Sequence, residues 1–544
     1  MPGIHSKRVL LIVAVVLTIC SCASPTATPE ESLQPGPTVE LTSTASATAT
    51  VFSSPTPDED TTPDSSQVPG DSESPVVSPP VTNPGAPLAS GLYVGLFVRE
   101  GRSSSLEIIS TEGQTVSVIS VPEGAYSAEA SGISPDGRYF VYYTGMPRSE
   151  EGYPEEPNPD PDITLHIASA VTGEDLESIL LVKPSLYDDL QQAAEDLAAN
   201  PPDELADRSV SSIYESLYYA LVSGIRSCAW SPDGRYLAFA GVMEGPSSDV
   251  YIYDTEDGTV NRLTSGPDEI LSITWSPDGT WIMHSSAKEV WVVTPAVYHA
   301  VRFDGERAMS FPSCGEFGKG WLSEHKYLVC FGANGVGSYN LVALDIDSGR
   351  KIPVWPGDFQ SLAYDSSGST ILLSSLGLTL DTPDSGIYMI DLATGNQIRL
   401  ADNDETYTHI VYWPTSSFEF VAGIEDNLVG ITSEEIMEEI LPGDWALIPS
   451  PDLTSLALIG LTDENGLYML EDLSSQPVLL DNRDIYGFGW SPDSAWYMYG
   501  FDSSRDEVTV AITKPIPDSS VVLRILPDTM SVKVYQDTVW IVVP

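Results

Sequence analysis

The chain spells WSPDGRYLAFAG at 230–241, WSPDGTWIMHSS at 275–286 and WSPDSAWYMYG at 490–500. A catalytic phrase is written once, because one site needs one nucleophile or one base. A phrase that returns about every 40 to 50 residues belongs to the architecture. Further copies are SPDGRYFVYY (134–143), YDSSGSTILLSS (364–375) and PSPDLTSLALIG (449–460). WLSEHKYLVCFG (321–332) and WPTSSFEFVAG (413–423) keep the aromatic and the strand after it.

A second phrase sits between the copies. VYIYDTEDGTVNRLT (250–264), LVALDIDSGRKIPV (341–354) and IYMIDLATGNQIRL (387–400) each hold a strand, a Gly-centred turn and another strand, as do LEIISTEGQTVSVIS (106–120) and LHIASAVTGEDLESILL (165–181). One unit is therefore strand, SPDG turn, strand, loop, strand, Gly turn, strand. Four antiparallel strands repeated in this way make a β-propeller blade. The fold class expected is all-β, a single propeller over 91–544.

The turn has its own chemistry. Pro presets φ, Asp accepts from nearby amides and Gly takes positive φ. Asp136, Asp233, Asp278 and Asp493 are accordingly read as structural pins of a hairpin rather than as metal ligands. No metal or cofactor is expected.

The recurring W-S-P-D-G core, with strands of these lengths, resembles the WD40-like (PD40) repeats in the propeller of TolB and its relatives. The resemblance covers 91–544 and implies the fold and an envelope location. Where TolB has an α/β domain ahead of its propeller, this chain has a stalk of different composition. The anchors at 134, 231, 276, 322, 365, 414, 450 and 491 predict eight blades, within a range of seven to nine. Strands before the first anchor and after the last are expected to pair and close the ring.

The region ahead of the propeller is of another kind. Lys7 and Arg8 precede a short apolar run from Val9 to Ile19, the pattern of an export signal over 1–21. LTICSCAS (17–24) resembles the lipobox of bacterial lipoproteins, with Cys22 as the lipidated residue. Residues 22–90 are rich in Pro, Ser and Thr and lack Lys and Arg, a composition that predicts a disordered acidic tether. The protein is expected to be exported and held on the outer face of the cytoplasmic membrane or at the cell surface. Cys314 and Cys330 are the pair considered for a disulfide. A net charge of −54 argues against nucleic acid as a partner.

Catalytic signatures are missing from the sequence: no G-x-S-x-G, no H-E-x-x-H, no P-loop. The histidines at 166, 284, 299, 325 and 409 stand too far apart to form a local ligand pair, and D-x-x-T-G at Asp391–Gly395 reads as turn chemistry. The chain is therefore expected not to be an enzyme. Two long insertions rise from the face opposite the SPDG turns: the acidic loop 147–162 and the helical segment 183–224. In the second, Leu186, Leu190, Ala193, Ala194 and Leu197 fall at helical spacing, as do Ile213, Tyr214, Leu217, Tyr218 and Leu221. Acidic residues of the same face, Glu244, Asp249, Asp381, Asp384, Asp463 and Glu464, form the candidate binding surface. It suits a protein, peptide or glycan partner of the envelope, or a cation. The alternatives are a hydrolase or lyase with its site in the central channel, or a plain spacer.

Overall fold

The computed structural model describes residues 89–544, without 101–102, 123–124, 128–131, 147–161, 200–207, 245–246, 267, 288–295, 312–316, 334–337, 358, 376–384, 402–408, 416, 425–426, 433–435, 462–464, 472–475, 505–506, 528–529, 532–537 and 544. The chain divides into Met1–Cys22 with Pro84–Pro544 and a second unit, Ala23–Asn83, which lies outside the described residues.

Among the described residues nine antiparallel sheets follow one another, eight of four strands and one of five, at the upper end of the expected seven to nine and one more than the eight anchors. Blades 1 to 8 occupy 126–180, 228–262, 269–311, 317–356, 359–401, 409–442, 445–481 and 485–527. These carry the eight sequence anchors. The ninth is made from both ends of the domain: Gly91–Glu100 pairs with Ser103–Ser110 and Thr115–Val121 on one side, and with Thr538–Val543 on the other, Tyr93 opposite Ile541. A short strand at Met530–Ser531 continues the innermost position. In every other blade the SPDG-type turn joins the first strand to the second. Here the first strand is C-terminal and the second N-terminal, so no turn exists and no anchor was there to count.

Among the described residues, nine buried apolar clusters, each shared by two neighbouring blades, run round the ring. Phe97, Leu106 and Ile541 of blade 9 meet Phe140 and Tyr142 of blade 1. On the other side, Val94, Leu96 and Val98 meet Met498 and Ile512 of blade 8. Second strands are buried on both faces, and Trp281–Ala287 shows no exposed residue along its length. They read as continuous apolar or small-residue runs, whereas fourth strands alternate with water.

The tryptophan of the repeated phrase bolts blades together. Trp230 Nε1 donates to Gly132 O at 3.0 Å, Trp275 to Ala229 O at 2.9 Å, Trp490 to Ile448 O at 3.0 Å and Trp540 to Gly489 O at 3.2 Å. In blade 5 the Tyr364 hydroxyl makes the same reach to Trp321 O. Each bond satisfies a carbonyl of the preceding blade while the ring adds apolar burial.

Candidate functional site

The SPDG turns lie on one face of the propeller and the long crossovers on the other. On the turn face the SPDG aspartates act as pins. Ser231 Oγ donates to Asp233 Oδ1 at 2.6 Å, Arg235 N donates to the same oxygen at 3.1 Å, and Tyr236 N closes the turn onto Ser231 Oγ at 2.9 Å. The same three bonds recur around Asp136, Asp278 and Asp493, and again around Asp452. In blade 5 the roles are exchanged: Asp365 stands at the serine position, accepting from Ser369 N and Thr370 N, and Ser367 donates to it. Asp391 likewise pins its own hairpin through Ala393 N and Thr394 N.

One addition breaks this regularity. Asp278, Glu324 and His325, from the turns of blades 3 and 4, bring one ligand atom each to within 4.8 Å of one another. His325 Nδ1 is also 3.0 Å from Asp347. Burial works against ionisation of Asp278, but the bonds from Ser276 and Thr280 outweigh it and hold the carboxyl below its ordinary value. Its oxygens are already committed to the turn.

The opposite, crossover face carries two helices between blades 1 and 2. Helix α1 (Ser185–Ala199) and helix α2 (Val210–Ile225) pack on each other through Ala194, Ile213 and Leu217. Ser209 caps α2, its hydroxyl accepting from Ser212 N. Tyr218, Leu221, Val222 and Ile225 then seat α2 on Phe239, Val242 and Tyr251 of blade 2. Near its C-terminal end Gly224 lies so close to the Ile270 carbonyl that a Cβ would not fit. The outward side of α1 presents Asp188, Asp189, Glu195 and Asp196, all exposed. Lys183, just ahead of the helix, reaches Asp189 at 4.0 Å.

Of the acidic residues expected on this face, Glu244 is exposed, 3.4 Å from Arg262. Asp249 is not a surface group. It is 1% exposed and bound to Arg262 at 2.5 Å, an internal tie between the third and fourth strands of blade 2. Burial pushes its carboxyl above the ordinary range, against the pull of Arg262. The sequence reading places it on an acidic loop of the crossover face; it is instead the first residue of a third strand buried on both faces. Asp381, Asp384, Asp463, Glu464, Cys22, Cys314 and all of 147–162 except Asp162 lie outside the described residues, as does the side chain of Cys330.

Sequence reading missed a polar group under the helix seat. Ser248 N and Oγ both donate to Glu269 Oε2, and Ile270 N donates to Ser248 Oγ. Burial raises the Glu269 carboxyl. Beside it, Asp268 Oδ1 is buried without a hydrogen-bond partner. Below lie His284 and His299, fifteen positions apart in the sequence. They face each other across adjacent strands, ring centroids 4.7 Å apart.

His299 stands between Ser286 Oγ and Ser310 Oγ, each at 2.9 Å. Taken alone, this is a serine–histidine contact of the kind that activates a nucleophile. Blade 1 repeats it in the same register, with His166 between Thr144 and Ser178 at 2.9 and 3.0 Å. A constellation present twice at equivalent positions is cross-strand packing.

Among known proteins, the family model "WD40: WD domain, G-beta repeat" matches residues 218–254. The "Uncharacterized peptidase YuxL" of Bacillus subtilis is 46% identical over 54 residues, 10% of this chain and 8% of that protein. Thus the match spans under a tenth of that relative's length. Of solved structures, dipeptidyl peptidase 4 of Porphyromonas gingivalis shares 11% identity over 80% of this chain and 59% of its own, at a TM-score of 0.37. TolB of Acinetobacter baumannii shares 14% over 74% and 82%, at 0.27. The expectation that the chain is not an enzyme is overturned by the stretch it shares with a peptidase-named protein.

Proposed function

We propose that this WD40-like, TolB-like propeller is a peptide-binding protein of the cell envelope, with the crossover face as its docking surface for a basic peptide segment. The observation that carries the reading is the outward side of α1, where Asp188, Asp189, Glu195 and Asp196 stand exposed. Charge gathered on one raised element attracts an oppositely charged partner and speeds encounter. The sequence shared with a peptidase-named protein favours peptide over glycan, and it makes cleavage of the bound peptide the second reading. Export by the 1–21 signal, a lipid on Cys22 and a tether over 22–90 complete the proposal.

The test uses the full chain with Cys22→Ala, which is expected to leave the membrane fraction as a soluble, exported form. Fluorescence anisotropy compares a Lys/Arg-rich decapeptide with a Glu-rich one, and mass spectrometry of the recovered peptides reads cleavage. The basic peptide should bind, weaken with salt, and lose about tenfold in affinity when Asp188, Asp189, Glu195 and Asp196 become Asn or Gln, the scale of a few rim charges. Equal binding of both peptides, or no change in the quadruple variant, would sink the docking surface.

A further inference from the structure

Blades 1 and 3 share their histidine register but differ at one position. In blade 1 the second-strand residue facing His166 is Tyr142, which gives its hydroxyl to Asp175 at 2.7 Å. In blade 3 the equivalent residue is His284. It is 5% exposed, its ring lies 14° from parallel to that of His299, and its Nδ1 is buried with no hydrogen-bond partner. Native proteins rarely leave such a group unsatisfied, so each instance asks for a reason.

The location supplies one. Ile282, two residues earlier and so on the same side of the strand, packs on Ala238, Ala240, Val250 and Ile252 of blade 2. His284 therefore faces the seam between blades 2 and 3. Ser248, Glu269 and Ile270 lie above it, where α2 is seated. Within the seam an imidazole is tolerated only while neutral. Burial first, and then the like charge of His299, pushes His284 down to about 3; burial also lowers His299, with Asp268 pulling the other way.

We propose that the stacked His284–His299 pair makes the seam between blades 2 and 3 acid-labile, so that the seat of α2 opens as pH falls from neutral toward 5. The sign follows from proton linkage. In the opened seam His284 takes its proton near the ordinary imidazole value, about 6.5. The closed seam refuses it until far lower pH, so the closed form is favoured above that value and gives way below it. The other charged groups about the seam are Asp268, Glu269, Asp249 and Arg262. Burial holds Glu269 and Asp249 above the usual carboxylate range, so their protonation favours the closed seam as pH falls and works against the imidazoles.

Hydrogen exchange of the full chain, corrected for intrinsic rates and read over 236–241, 269–275 and 281–287, measures the opening. His284 alone makes it about twenty-five-fold more populated at pH 5 than at pH 7. The blade 1 segments 139–144 and 164–169 serve as the reference and stay level. His284→Tyr, which copies blade 1, flattens the ratio; should that variant not fold, His284→Gln has to do the same. Equal ratios in blades 1 and 3, or a variant that keeps the full ratio, would overturn the proposal. Acid release of the bound Lys/Arg-rich decapeptide is the second arm, and it rests on the docking reading. If exchange responds and release does not, the docking surface is wrong and the acid-labile seam stands.

Discussion

The turn face and the crossover face are ends of the same strands, yet they are built by opposite rules. On the turn face one set of bonds, serine to aspartate and aspartate to amide, is copied in five blades. On the crossover side the described residues carry features made once, namely the α1–α2 pair, the Asp249–Arg262 tie and a His284 whose Nδ1 has no hydrogen-bond partner, with one histidine register copied between blades 1 and 3. In a repeat protein the copied feature is shared structure, and the break in the pattern is where a particular job can sit. The serine–histidine contacts show the value of that rule, since a second copy at His166 removes the catalytic reading of the one at His299.

The contrast can be broken in four places, taken in order of expected effect. Gly137 has φ +67°, and a Cβ there would run into Ile541 of the closing strand. Gly137→Ala should cost about 2 kcal/mol or more, combining a left-handed backbone with overpacking. Gly258, at φ +71° with nothing within 4 Å, carries the backbone cost without the clash. Its alanine variant should lose only about 1 kcal/mol. Urea unfolding of the two reads the difference, and equal losses would mean that Ile541 yields freely. Trp275→Phe comes next. It removes the bond to Ala229 O and strands a carbonyl, for about 1–2 kcal/mol, and calorimetry should show a matching fall in Tm.

Asp233→Ala and Asp278→Ala each remove one turn pin, for about 1 kcal/mol, while peptide binding on the far face stays intact. Should they melt like the parent yet lose the peptide, the turn face is the functional one and the contrast is reversed. The smallest effect on stability belongs to the four α1 neutralisations. Exposed charges of this kind should move unfolding by less than about 0.5 kcal/mol, although they alter binding.

Much of the architecture was written openly in the sequence. The blades announced themselves because a hairpin turn requires particular residues at fixed offsets, and the helical stripes at 186–197 and 213–221 because a buried face repeats every 3.6 residues. What was hidden depended on contacts between distant segments. Blade 9 has no turn to recognise, since its first and second strands come from opposite ends of the domain. The hydrogen bond of the tryptophan needs a carbonyl one blade away, which the phrase itself does not contain. Asp249 looked like surface because Arg262, which neutralises it, lies on another strand. His284 and His299 became neighbours only through strand register.

The seal at Tyr93–Ile541 also sets an order in time. A ribosome delivers Gly91–Glu100 first and Thr538–Val543 last, so eight interfaces can assemble while the ninth has no second wall. Throughout that interval the earliest strand offers an open edge to whatever passes, the condition in which chains pair with the wrong neighbour. Closure is a contact between the most distant parts of the domain, and such contacts form slowly. The ring is complete only once Thr538–Val543 has paired with the first strand of the domain.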